Sequence, residues 1–215
     1  KFLPAVGHVV SVLLSLVESE KLKELRVSAM LCLQLLAQCS DGESPRRTHE
    51  ARDCLTSFLP GITLALCRVI LGDPKQGQTA IHTWSKIVAM VMSDLYSPSQ
   101  SEESSECQSE PQGVANSPGR DLWVKRSQEW VESTAKKLDI LIGRIVTMAT
   151  NQSWRVRLAM VTLSEELLFS CKSSMSASVP KLLELLVSLV GDEYDQVATR
   201  CRTVLERFAQ AHMGG

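Results

Sequence analysis

The side chains best suited to chemistry in this chain are four histidines, seven cysteines and a carboxylate pair. The histidines are His8, His49, His82 and His212; the cysteines are Cys32, Cys39, Cys54, Cys67, Cys107, Cys171 and Cys201. Glu165 and Glu166 follow Ser164 directly. The histidines are scattered, with no ligand-like partner one helical turn away, so no metal set forms at the level of spacing. No C-x-x-C pair, glycine-rich phosphate loop, G-x-S-x-G elbow or H-E-x-x-H helix is present. Ser164-Glu165-Glu166 reads as the polar face of an amphipathic helix. The expectation is a protein with no catalytic residue, metal or cofactor.

Composition narrows the partners. Hydrophobic residues make up 44% of 215, enough for a continuous core. Lys and Arg number 23 against 24 Asp and Glu, so no cationic excess exists to neutralise phosphates. Aromatics at 5% offer no base-stacking platform, and nucleic acid is excluded as the expected partner. The odd cysteine count, inside apolar helical stretches, argues against disulfides and for buried thiols in a reducing compartment, the cytoplasm and also the nucleus. Cys32 and Cys39 lie two turns apart, about 10 Å on a helix, too far to bridge. In that compartment the glycosylation pattern Asn151-Gln152-Ser153 is inert. The longest apolar run, Val9 to Val17, is too short to cross a bilayer, so no membrane is expected. The chain opens at Lys1 straight into a helical pattern, as a piece of a longer protein would.

The elements that must position these residues repeat. Leu3-Pro4, Leu59-Pro60 and Val179-Pro180 each start an apolar run, followed by a polar break and a second helix. The second helices share a spacing: Leu25-Arg26-x-x-Ala29-x-x-Cys32-Leu33, Ala80-x-x-x-Trp84-x-x-Ile87-Val88 and Val197-x-x-x-Cys201-x-x-Val204-Leu205. Helical hairpins repeated in this way stack into an α-solenoid, a protein-binding architecture. In the first hairpin the stripes are Val6, Val9, Val10, Leu13, Leu14 and Val17, then Leu22, Leu25, Ala29, Leu33 and Leu36. A helix from about Thr48 to Phe58 leads to Pro60-Gly61, where a new helix carrying Ile62, Leu64, Leu66, Val69 and Ile70 is expected to start. Gly72-Asp73 and Gly191-Asp192 are matching breaks. Asp121 is expected to open a long helix to about Asn151. HEAT-like repeats thus occupy 1–96 and 121–215 of one continuous solenoid. Between them, over 97–120, lies an acidic insertion: Ser97 to Gly119 holds seven serines and four glutamates but no leucine, and reads as disordered.

Three arginines invite two readings. Arg26, Arg155 and Arg157 sit near the starts of second helices. They either grip an acidic partner or form a ladder between repeats, with Asp192 and Asp195 as acceptors. Trp123, Trp130 and Trp154 cluster in sequence where the chain re-enters the fold, as core packing or as interface anchors. In the insertion, Ser97-Pro98 and Ser117-Pro118 suit proline-directed kinases, and Ser99-x-x-Glu102 suits an acidophilic one.

The apolar-Pro starts, Gly-Asp breaks and second-helix spacing resemble HEAT repeats, with armadillo repeats a near neighbour. Three stretches carry a closer likeness: Leu25 to Cys39 (LRVSAMLCLQLLAQC), Trp154 to Cys171 (WRVRLAMVTLSEELLFSC) and Asp192 to Phe208 (DEYDQVATRCRTVLERF). They resemble the C-terminal region of the Tel-two-interacting protein one family, the large scaffold of the Triple T complex. The resemblance implies a non-catalytic hetero-oligomeric co-chaperone subunit. With the ninety-kilodalton heat-shock chaperone it would mature phosphatidylinositol-kinase-related kinases, the mTOR and DNA-damage kinases among them. Its implied partners are the Tel-two protein, a second Tel-two-interacting protein, the kinase clients and the chaperone machinery. It transfers no contact residues.

The expectation is therefore an all-α, HEAT-like α-solenoid of about four antiparallel helical hairpins. A transport-type or adaptor solenoid binding cargo peptides is the alternative. It would need a ladder of Asn and Trp on successive second helices, of which only Trp84 and Trp154 fall near such positions. An enzyme would need a cleft joining Glu165 or Glu166 to a histidine with a shifted pKa. The insertion makes its own prediction: protein isolated from cells carries phosphate on at least one of Ser97, Ser99 and Ser117 by mass spectrometry, and docks through it on a basic surface. Serines unmodified under every condition remove that role.

Overall fold

A computed structural model describes residues 3–38, 45–73, 75–95, 124 and 126–213, with side chains described over 6–37, 55–73, 75–95, 124 and 126–211. The insertion, with Ser97, Ser99 and Ser117, lies outside the described residues, as do Trp123 and Cys39. Eight α-helices and no strand occur among the described residues. They are α1 (Leu3–Ser19), α2 (Lys23–Gln38), α3 (Pro45–Gly72), α4 (Gly77–Val91), α5 (Gln128–Ile145), α6 (Trp154–Ser170), α7 (Val179–Leu189) and α8 (Asp195–Met213). Two short 3-10 turns, Val146–Thr150 and Ser176–Ser178, follow α5 and precede α7.

The helices α1–α2, α3–α4 and α7–α8 pair directly as hairpins, α5 meets α6 through the Val146–Thr150 turn, and the four units stack as an α-solenoid. The even helices form one layer, with α4 packed on α2 and α6, and α6 on α8. In the odd layer α1 packs on α3, while α5 and α7 meet through the two 3-10 turns. At the crossing of α1 and α3 a Cβ on Gly7 would come within 3.0 Å of the Phe58 ring. The missing side chain there lets the two rods approach.

α3 departs from the expected break. It runs unbroken through Pro60 for 28 residues. The ring removes one i to i−4 hydrogen bond and crowds the preceding turn. Leu55, Leu59, Ile62, Leu66, Val69 and Ile70, all buried, nonetheless continue one stripe across it. Burial of that shared stripe on α1 and α4 outweighs the local cost. Its Leu55–Gly72 stretch also has the length and apolarity of a bilayer-crossing helix, and 56% of it is buried inside the fold. Pro60 inside the stretch hides its length in the sequence.

Other stripes are rotated from the expected phase. On α2 the buried residues are Ala29, Met30, Leu33 and Ala37, whereas Leu22 and Leu25 are exposed. Arg26 explains the turn: its guanidinium reaches inward to the end of α1, which swings Leu25 out. Cys32 shares that outer face and is exposed, contrary to expectation. The long helix expected from Asp121 is shorter. The Ser127 hydroxyl accepts from the Trp130 N–H at 3.2 Å and caps a helix starting at Gln128; the 3-10 turn ends it before Asn151.

α4 is the centre of the core. Ala80, Ile81, Trp84, Ile87, Val88 and Val91 are all fully buried, and Thr83 and Ser85 are buried between them. The Trp84 Nε1–H donates to Thr63 Oγ1 at 3.3 Å, which satisfies the indole inside the core. The buried stripe of α3 supplies the direct test of its phase. Leu66→Ala is expected to lower stability by about 3 kcal/mol, as for a large core side chain. Leu64→Ala, on the opposite side of the same helix, changes it by less than about 0.5 kcal/mol. Urea midpoints for the two variants check the difference.

Candidate functional site

Among the described residues, the carboxylate pair, His82 and three of the cysteines are held within the fold, whereas the side chains of His49, His212 and Cys54, and Cys39 and Cys107, lie outside them. The Ser164 hydroxyl is buried and donates to the Met160 carbonyl at 3.0 Å, one turn back. Glu165 is held between Arg200, at 2.5 Å, and Arg207. Glu166 pairs with Lys86 at 2.5 Å. His82 lies half-buried in their field: burial pulls its pKa down, Glu166 opposes that and Lys86 reinforces it. Burial pushes the thiols of Cys67 up to about 11 and of Cys201 up to about 12, and raises Cys171 too. Such thiols stay protonated and inert. No group of three or more metal-ligating side chains gathers among the described residues.

Two of the sequence-selected arginines lie at equivalent junctions. Arg157, the fourth residue of α6, is buried. Its Nε and Nη2 donate to Asp192 Oδ2 and Oδ1 at 2.6 and 2.9 Å, a bidentate pair. Nη2 also reaches Glu193 at 3.2 Å, and Nη1 donates to the Asn151 and Gln152 carbonyls at 2.7 and 3.2 Å. The Tyr194 ring lies 5.5 Å from the guanidinium and stacks on Trp154 at 5.7 Å. Arg26, the fourth residue of α2, repeats the plan more loosely. Its Nε donates to the Val17 carbonyl at 3.1 Å, and Nη1 stands 3.6 Å from Asp73. In both cases an arginine near the start of a second helix reaches the aspartate that follows the next hairpin's first helix. Arg155 instead lies over the Trp154 ring at 4.8 Å, and Asp195 opens α8 without pairing to either arginine. Trp130 and Trp154 have different neighbours: Trp130 faces α3 and Trp154 stacks on Tyr194.

The middle junction has no such clasp. Ala80 is the fourth residue of α4, where α2 and α6 carry arginine. Hairpins two and three are joined through the even layer instead. Asp94 accepts from the backbone N–H groups of Ser173 and Ser174 at 2.7 and 2.8 Å, and the Ser174 hydroxyl donates to the Met92 carbonyl at 2.5 Å. On the other side α3 packs more closely on α1 and α4 than on α5. A groove of about 690 Å3 opens between α3 and α5. Its walls are two stripes: Leu59-Pro60, Thr63-Leu64, Cys67-Arg68 and Leu71-Gly72 on one side, Trp130, Thr134, Lys137-Leu138, Leu141 and Arg144 on the other. The walls are apolar, three cations stand among them, and no carboxylate is present. This groove is the candidate site for a protein partner.

Of these groove residues only Trp130 stands out in the sequence as a possible interface anchor; Leu59, Pro60, Leu64, Cys67 and Gly72 fit the helical pattern alone. Leu64 belongs to the expected apolar stripe of its helix, yet it is 54% exposed. A signal was present: Trp130, Lys137 and Arg144 recur every seven residues on one side of α5, out of phase with the buried Val131, Leu138, Ile142 and Ile145.

Comparison with known proteins supplies the family. Residues 1–193 match the family model described as the TTI1 N-terminal TPR domain. The chain belongs to the TTI1 family. It is 38% identical over 214 residues to the TELO2-interacting protein 1 homolog of Homo sapiens and 39% identical to that of Mus musculus, each match covering 96% of the chain. The chain spans about 20% of the length of these TTI1 relatives. The model's description corrects the expected placement: the TTI1 match falls in an N-terminal rather than a C-terminal domain. It names TPR repeats where the sequence reading names HEAT; both are stacked helical hairpins, which is the architecture observed here. No solved structure matches this TTI1-family chain.

The clasp yields a prediction with a defined sign. Hydrogen bonds from Arg157 hold the Asp192 carboxyl below its ordinary value of 3.8. A depressed carboxylate contributes stability above its unfolded pKa and loses it as pH falls through the folded one. Asp192→Ala is expected to cost about 3 kcal/mol at pH 7, the low end for breaking a buried pair because exposed Glu193 leaves one edge open to water. The cost shrinks progressively below pH 3.8. Urea unfolding of wild type and variant between neutral and acid pH measures both.

Proposed function

We propose that this chain is a non-catalytic protein-binding segment of a co-chaperone scaffold. In this reading it helps assemble a complex with the Tel-two protein and a second, smaller interacting protein. That complex acts with the ninety-kilodalton heat-shock chaperone on phosphatidylinositol-kinase-related kinases, in the cytoplasm and the nucleus. The observation that carries the reading is family membership over most of the chain, in relatives whose name states an interaction with TELO2. The groove supports it, because an extended helical stack with an apolar, solvent-open seam is a surface for another protein. The cargo-binding alternative has less support: the groove walls hold one tryptophan and no asparagine.

Co-expression of the 215-residue chain with the Tel-two protein and the second interacting protein tests the assignment. The chain is expected to retain at least one of them through affinity and size-exclusion steps in low salt. Elution of the chain free of both overturns it.

A further inference from the structure

The groove between α3 and α5 has a shape and charge that specify what fills it. Its walls run over residues 59–72 and 130–144, about 20 Å each at helical rise. That length suits a partner helix of about four turns. The wall side chains recur at spacings of three, four and seven, so they form ridges that accept another helix's ridge. An extended strand is disfavoured, because its N–H and C=O groups would face leucines with no acceptor or donor. A helix satisfies those groups internally.

Charge sets the flank. Arg68 is already paired with Glu18 at 2.6 Å. Lys137 and Arg144 have no carboxylate partner among the described residues, and they stand two turns apart on one side of α5, about 10 Å along its axis. Arg144 also faces the buried Cys67 across the groove.

We propose that this groove binds an amphipathic helix of a protein partner, with an apolar ridge and two carboxylates spaced two turns apart along one flank. The inference rests on the scaffold reading above and names the chemistry of the partner at this junction. The chain's own segment 97–119 has the charge, with four glutamates and no Lys or Arg, but no leucine or aromatic residue to fill the walls.

The test uses the full chain and two synthetic 16-residue helical peptides. Both carry leucines at i, i+4, i+7 and i+11; one has glutamates two turns apart on the flank, the other lysines. By fluorescence polarisation the glutamate peptide is expected to bind at least about fivefold tighter, with affinity falling as salt rises. Lys137→Glu with Arg144→Glu is expected to reverse the preference. Leu64→Asp is expected to weaken both peptides by roughly tenfold, as for loss of an apolar anchor. All three sites are exposed, and unchanged helical circular dichroism confirms folding. Equal binding of the two peptides, or a preference untouched by the charge reversal, overturns the proposal. A tenfold gain in affinity on deleting 97–120 overturns it in favour of the chain's own segment. A dimer dissolved by the groove variants overturns it in favour of a second copy. Selective binding of the glutamate peptide, alongside failed co-purification with the Tel-two protein, leaves the groove standing and removes only the partner's identity.

Discussion

Burial of α4 against three other helices is the constraint on which this molecule depends. A single hairpin has an apolar stripe on each rod and no way to cover both sides. α4 receives α2 on one side, α6 on another and α3 along its length, and its apolar side chains face all three. Because α4 is surrounded, the buried Thr63, Thr83 and Trp84 must find partners in neighbouring rods. Trp84 donates to Thr63 on α3, and Thr83 donates to the Met30 carbonyl on α2. These bonds set the register of the first two hairpins as well as satisfying the groups.

Ion pairs then refine how the hairpins stack. At the first and last junctions an arginine ties the start of a second helix to the end of the next hairpin's first helix. The last is the stronger: Arg157 is buried, bidentate to Asp192 and bonded to the chain entering α6. The Arg26 pair is longer and more open. The middle junction has alanine where the arginine would stand and is closed mainly through the even layer, by Asp94, Ser174 and the Lys86–Glu166 pair. The odd layer is left parted there. The α3–α5 groove and the missing clasp thus occur at one junction, the same one at which the chain carries its acidic insertion.

The chemistry-bearing residues illustrate how placement decides role. Buried thiols at Cys67, Cys171 and Cys201 are held protonated by loss of solvation. Glu165 and Glu166 are neutralised by basic side chains from α8 and α4. Between α3 and α5 the described residues leave an open apolar surface with cations beside it, which suits recognition of another protein.

The hairpin repeat, the Gly-Asp breaks and the arginine positions were legible in the sequence, because helical period and breaker residues act over a few positions. Pro60 misled, since its local cost is visible in the text while the burial that outweighs it comes from α1 and α4. The phase of α2 misled for a similar reason: Leu25 and Arg26 are both plausible inward residues until the end of α1 offers a carbonyl to the guanidinium. By itself the sequence determined that the chain is helical, where its hairpins turn and which family its text resembles. Only the tertiary structure decided which face of each helix is inside, which arginines are clasped and where the layers part. Those outcomes depend on contacts between different helices, between residues 9 to 83 positions apart, and on a competition for burial that no single helix can settle.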